Sequence, residues 1–426
     1  MNNDAALFLV LCSALVLFMT PGLAFFYGGL VRASSVVSMM MMSFGAIGLV
    51  AVLWLTYGYA ISFSDPTSSG FIGIPGVIGL NPAELFMNNA VAASKAGDQL
   101  PLAFGGFQGT FAIITVALIS GAIADRARFG SWMLFAGLWA TVVYFPVASW
   151  VFNFKLVNGK VVSGGWLVHN VGLMDFAGGT VVEIASGASA LAVALVVGKR
   201  FGFTKGMHAP HNVPLVLIGV AILLFGWFGF NAGSELAADG TASLAFINTL
   251  AAPVGAMLTW SLYEKIKHGK ATSIGAGTGA VAGAVAITPS CAYLTPVWSL
   301  VLGAVVGVVC AIAIEGKFKF GFDDSLDVVG VHLVAGLIGT VAIGVVGNGV
   351  GLVYGADASQ LAKQLFGSLV VGAFAFLASW FLAKFVDRIM GFRVTSSEEI
   401  AGIDLTQHGH AGYGGSDPRW DWTFTS

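Results

Sequence analysis

The sequence predicts an all-α polytopic membrane protein of eleven transmembrane helices, arranged as two inverted five-helix halves plus an eleventh helix. Three observations carry that expectation. Hydrophobic residues make up 57% of the 426 and charged residues 9%, against about 25% charged in an ordinary soluble domain. Eleven apolar stretches are each long enough to approach the thickness of a hydrocarbon layer, about 30 Å. The basic residues are also one-sided: 15 of the 19 fall in alternate connecting segments.

Taken in order, the spans are 5–31, 36–63, 103–124, 131–152, 176–198, 212–232, 242–263, 272–288, 296–315, 328–350 and 364–386. The first could be mistaken for a signal peptide, but the start is MNNDA, with Asp4 and no Lys or Arg before Arg32. A positive n-region and a short apolar core are missing, so the run reads as a retained first helix. The eighth is mostly Ala and Gly and carries the faintest signal. An outside N-terminus puts Arg32, Arg126, Arg128, Lys199, Arg200, Lys205, Lys265, Lys267, Lys270, Lys317, Lys319, Lys384, Arg388, Arg393 and Arg419 inside. It leaves Lys95, Lys155, Lys160 and Lys363 outside. This is the bias of a cell-membrane protein with its N-terminus outside and its C-terminus cytoplasmic, and an even number of spans would break the alternation.

Residues 1–390 therefore read as one transmembrane domain and 391–426 as a polar cytoplasmic tail. The 58 glycines suit helices that approach closely. A net charge of −2 implies no nucleic-acid partner. Cys12, Cys291 and Cys310 are scattered, without metal-ligand spacing or a disulfide framework. Neither a metal nor a cofactor is expected. No HExxH or paired nucleophile and base marks an intramembrane enzyme.

The chemistry concentrates in DFAGGTVVEIASG (175–187) and DVVGVH (327–332). Asp175 stands at a helix start, where it can accept free backbone N–H groups. Glu183 lies eight residues on, roughly 12 Å deeper, near the middle of the layer. An acid there costs about 2.5–3.5 kcal/mol on insertion scales, so it faces a protein interior or a pathway. Asp327 and His332 mirror this arrangement in span ten, which enters from the opposite side. Ionisable groups meeting at mid-membrane between inverted halves follow transporter logic. Each also has a plainer reading, a buried acid or imidazole satisfied by a hydrogen bond.

FQGTF (107–111) opens span three and GWFGFNAGS (226–234) closes span six. Aromatic faces attract cations and a serine hydroxyl accepts from N–H donors. Phe107, Phe230 and Ser234 are thus candidates for a cation-recruiting vestibule, with an interfacial aromatic belt as the alternative. PHN (210–212) reads as the start of span six, and Thr288-Pro289 ends span eight.

At these residues the chain resembles the ammonium transporter (Amt/Mep/Rh) family. The match runs through TPGLAFFYGGLVR (20–32), FQGTF, DFAGGTVV, PHNVP (210–214), GWFGFNAGS, TPSCAY (288–293), DVVGVH and GIDLTQHG (402–409). The resemblance implies a homotrimer of eleven-helix subunits, each with its own pore for ammonium or ammonia. It implies that Phe107 and Phe230 are stacked aromatics gating the outer mouth, that Ser234 is the outer-site hydroxyl and that Asp175 supports that site. His332 would be the second member of the pore's paired histidines, with Glu183 in place of the first, as in some fungal members. Counting from Tyr144 and Pro146 puts Phe152 where the family's outer tryptophan stands, with Trp150 two residues away. The tail resembles the segment that responds to PII-type regulators, with His410 where an acid is common. The implied function is recruitment of ammonium, its deprotonation, and conduction of ammonia past Glu183 and His332. The alternative is an ammonium sensor acting through a cytoplasmic partner.

Overall fold

The computed structural model describes residues 2–157, 160–203 and 209–413. Lys205, Arg419 and the tail beyond Tyr413 lie outside the described residues.

Eleven apolar helices form the body. They are α1 (Asn3–Leu30), α2 (Ala33–Phe63), α3 (Leu100–Ile123), α4 (Phe129–Phe152), α5 (Gly179–Val197), α6 (Val213–Gly233), α7 (Gly240–His268), α8 (Ser273–Ile287), α9 (Pro296–Phe320), α10 (Val329–Val346) and α11 (Ser359–Met390). Ten are long enough to cross a membrane; α8, at 15 residues, is the short one. At about 1.5 Å per residue it spans roughly 22 Å, and hydrogen-bonded turns follow it over residues 288–293. The helices start where side chains replace missing backbone acceptors. Asn212 caps α6, Asp239 α7, Thr272 α8 and Thr295 α9.

The packing has the pairing that a two-fold relation of the halves requires. Helix α1 lies along α6, and α5 lies against α10. Small residues permit both approaches. A Cβ on Gly219 of α6 would sit 2.2 Å from the backbone nitrogen of Phe26 in α1. A Cβ on Gly336 of α10 would sit 2.8 Å from Cβ of Glu183 in α5. The second glycine is what leaves room for the acid between the two helices.

We term the side on which α1 starts the outer side and the opposite one the inner side. The outer side carries two antiparallel hairpins, β1 (Ile72–Ile74) with β2 (Ile78–Leu80), and β3 (Phe154–Val157) with β4 (Lys160–Gly164). They are joined by the Trp166 N–H donating to the Gly76 carbonyl at 3.1 Å.

The inner side is tied together by buried charge. Arg126 is fully buried and donates to the carbonyls of Ala122, Ala124, Gly198 and Asp323 and to Ser325 Oγ. Burial pulls its guanidinium down to about 10, which leaves it charged at neutral pH. Arg200 forks onto both Asp323 oxygens at 2.9 Å each. The tail is less free than its polar composition implies. Val394 N–H donates to Arg126 O, and Arg32 donates to Glu399 O. In the short helix α12 (Ser396–Ala401), Glu399 accepts the Phe201 N–H at 2.6 Å. In α13 (Asp404–His408), Asp404 accepts the Val37 and Ser38 N–H groups at 3.1 and 2.8 Å, supplying the cap that α2 lacks. The segment stitches three inner loops together before it reaches Tyr413.

Candidate functional site

The start of α5 is built around Asp175. Its Oδ1 accepts the Gly178 and Gly179 N–H groups at 2.8 and 2.7 Å. Its Oδ2 accepts the Thr180 N–H at 2.7 Å and the Thr180 hydroxyl at 2.5 Å. Gly178 takes φ +118°, a conformation open to glycine, so the chain can turn back under the carboxylate. Asp175 is thus a helix cap with four donors, and its negative charge suits the positive end of the helix.

Helix α5 then opens with a π turn, Gly179–Ile184. Glu183 N–H reaches back five residues to Gly178 O at 3.1 Å. On α10 the π turn Val329–Leu333 carries His332, and Val334 N–H likewise reaches Val329 O. Other π turns occur in α2, in α4 and at Leu167–Val171, but these two carry the acid and the imidazole that meet. The extra residue in a π turn rotates the side chains around it relative to a regular helix, and here it aims both groups inward. The mirror of Asp175 is not Asp327, as the motif spacing implies. Asp324 caps α10, its Oδ2 accepting the Val329 N–H at 2.7 Å. Asp327 has φ +64° and pairs with Lys317 at 2.5 Å. The side chain one turn nearer the helix has been turned aside by its own backbone.

Glu183 Oε2 and His332 Nδ1 meet at 2.6 Å, with 1% and 4% of their side chains exposed. They share a narrow cavity with Leu23, Ile114, Leu223, Trp227 and Phe230. At about 10 Å³ in water-centre volume, it holds a single water at most. Of the side chains lining this cavity, Glu183 and His332 are the two that ionise.

Above it stands a column of rings. Phe111, not Phe107, stacks on Phe230, with centroids 4.0 Å apart and planes 17° from parallel. Phe107 sits one turn earlier on the same face of α3 and is tilted 59° against Phe111 at 4.8 Å. The expected stacking of Phe107 on Phe230 is corrected by one helical turn. FQGTF carries phenylalanines four residues apart, and only packing against α6 selects between them.

Phe152 meets Phe111 edge-on at 6.4 Å. Trp150 does not join this group. Two residues along a helix turn a side chain by about 200°, and Trp150 packs on Trp166 and Phe374 while its Nε1–H donates to Val77 O at 2.5 Å. Its work is to hold the outer hairpin. Ser234 lies at the end of α6 and donates to Phe230 O at 2.8 Å, leaving its oxygen free to accept.

Two residues went unread in the sequence. Trp227 lines the lumen one turn before Phe230. Glu235, next to Ser234, is half-buried; that burial first, and Asp239 second, push its carboxyl up to about 7. GWFGFNAGSEL contains both, but neither residue's orientation is visible without the helix end.

The capping geometry sets an expectation for Asp175. Asp175→Ala leaves four donors without an acceptor, at about 1–3 kcal/mol for each that stays dry, and should lower the melting temperature of the purified protein sharply. Asp175→Asn keeps one carbonyl oxygen and should lose clearly less. Equal melting of the alanine variant and the parent would mean that solvent replaces the cap.

Known proteins resemble this chain along most of its length. A family model described as Ammonium Transporter Family matches residues 7–413. An ammonium transporter of Mycobacterium tuberculosis is 48% identical, over 97% of this chain and 90% of its own length. One of Bacillus subtilis is 40% identical, over 97% and 99%. Among solved structures, Saccharomyces cerevisiae Mep2 superposes with a TM-score of 0.81 at 32% identity, covering 92% of this chain and 90% of that one. A Sensor Amt Protein superposes at 0.86 with 25% identity, covering 96% and 98%. From its transmembrane helices to its docked tail, the chain belongs to the ammonium transporter family.

Proposed function

We propose that the chain takes ammonium at the outer ring cluster, removes a proton at the Glu183–His332 pair, and passes ammonia through the lumen. The observation that carries this reading is the 2.6 Å contact between the two groups beneath the stacked rings. Phe107, Phe111 and Phe152 offer electron-rich faces to a cation, each worth about 0.5–2 kcal/mol as water is lost. Ser234 offers an oxygen to an N–H donor. Asp175, spent on its helix, acts only through its field.

The Phe111–Phe230 stack closes the way, and a cation entering beneath it must shed water. Desolvation disfavours the charged form of an amine, so the proton moves to the better-served base. In the acceptor state the carboxylate is ionised and the imidazole neutral. One proton leaves ammonium, the pair gains it, and the net charge of the site changes from −1 to 0 as ammonia departs. The proton belongs to the pair rather than to either residue, because the two titrations are coupled.

The same reading places the N-terminus outside and the tail in the cytoplasm of the cell membrane, on the strength of the basic-residue bias. It assembles three copies, each with its own pore, and makes the docked tail the surface that a PII-type regulator meets. An impermeant thiol reagent applied to whole cells should spare cysteines introduced at the exposed Lys199 and Lys267. Ready labelling of both would invert the topology.

Glu183 is the decisive position. Glu183→Gln keeps size and hydrogen bonding but cannot release a proton. It should cut ammonium-driven current in proteoliposomes by about a hundredfold or more, the low end of what removing a positioned acid–base group costs in proton transfer, with assembly unchanged. Glu183→His should retain transport with a shifted pH optimum. Parental current in the glutamine variant at every pH would reduce Glu183 to a structural hydrogen-bonder.

A further inference from the structure

The lumen has one more side chain with a polar atom on its wall. Trp227 is 3% exposed and lines the same cavity as Glu183, His332 and Phe230. Its indole N–H, the ring's single donor, is turned out of that cavity and donates to Thr288 Oγ1 at 2.8 Å. Thr288 is fully buried, is not part of the cavity wall, and passes the hydrogen bond on to Ala284 O at 2.8 Å. It stands just past the end of α8, where the Thr-Pro step read only as a helix stop.

We infer that Thr288 is a positioning residue: it holds Trp227 so that the lumen meets the ring's carbon surface instead of its N–H. This rests on the transport reading and adds a second element to it. An N–H aimed into the lumen would donate to the Glu183 carboxylate or to His332 and occupy the acceptor that must take the proton. A ring face does the reverse, since it repels no cation and competes for no acceptor. With the N–H removed, Trp227 continues the ring column from Phe230, 6.0 Å away, down to the acid. An ammonium ion beneath the stack then has π surface beside it and a free carboxylate to receive its proton. The hydroxyl does this from outside the lumen, so its effect on transport runs through Trp227.

The test uses the full-length protein in proteoliposomes, with ammonium chloride as substrate, and compares Thr288→Val with Thr288→Ser. Valine keeps the volume and removes the acceptor; serine keeps the hydroxyl. The valine variant should raise the apparent KM for ammonium by about three- to tenfold, the scale of one cation–π contact, and lower the maximal rate as the freed N–H competes for the Glu183 carboxylate. The serine variant should match the parent. Ultraviolet resonance Raman spectra should show one indole N–H losing its hydrogen bond in the valine variant alone. An unchanged KM in the valine variant, a serine variant as impaired as valine, or an unchanged Raman spectrum would each overturn the inference. The transport reading fails separately, by absence of ammonium current in the parent, and the Raman comparison still decides the hydrogen bond.

Discussion

A carboxyl and an imidazole 2.6 Å apart in an apolar interior are the constraint around which this protein is arranged. Either group alone would be a buried polar side chain without a partner, at several kcal/mol if charged. Together they satisfy one another and still retain capacity for a proton. Meeting that condition requires two helices from opposite sides, each with a capped start, a π turn that aims the side chain, and a glycine that allows contact. Asp175, Asp324, the turns at Gly179–Ile184 and Val329–Leu333, and Gly336 are all explained by it.

The placement of those two helices depends on their anchors. The loop leading into α10 is held by Arg126 and Arg200 through Asp323 and Ser325, and by Lys317 through Asp327. None of these charges is left without hydrogen bonds, as burial demands. The network continues through Arg32 and Glu399 into the tail. The inner segments and the lumen are therefore one mechanical unit, and the loop before His332 is fixed by residues from across the inner side.

Much of this was legible in the residues themselves. Span length, composition and basic-residue bias are properties of the chain alone, so the helical membrane fold could be read with near-correct limits. Glu183 and His332 stood out because charge in an apolar run is costly, whatever the fold. Register was harder. Phe107 and Phe111 share a helix face, and only the position of Phe230 distinguishes them. Trp150 and Phe152 differ by two residues, and their opposite directions follow from where α4 meets the hairpin. Asp327 lost its capping role to Asp324 through a left-handed backbone angle. Thr288 and the tail's Asp404 act on segments remote in sequence, so no local pattern announces them.

The central claim is that the Glu183–His332 pair takes its proton from ammonium, and this can be observed without measuring flux. Infrared difference spectra of the protein in membranes, recorded as ammonium replaces sodium at constant pH, report carboxyl protonation directly. The account predicts an ammonium-induced carboxyl or imidazolium band, shifted in deuterium oxide and abolished by Glu183→Gln. A difference spectrum without such a band, or one that survives the substitution, would contradict it.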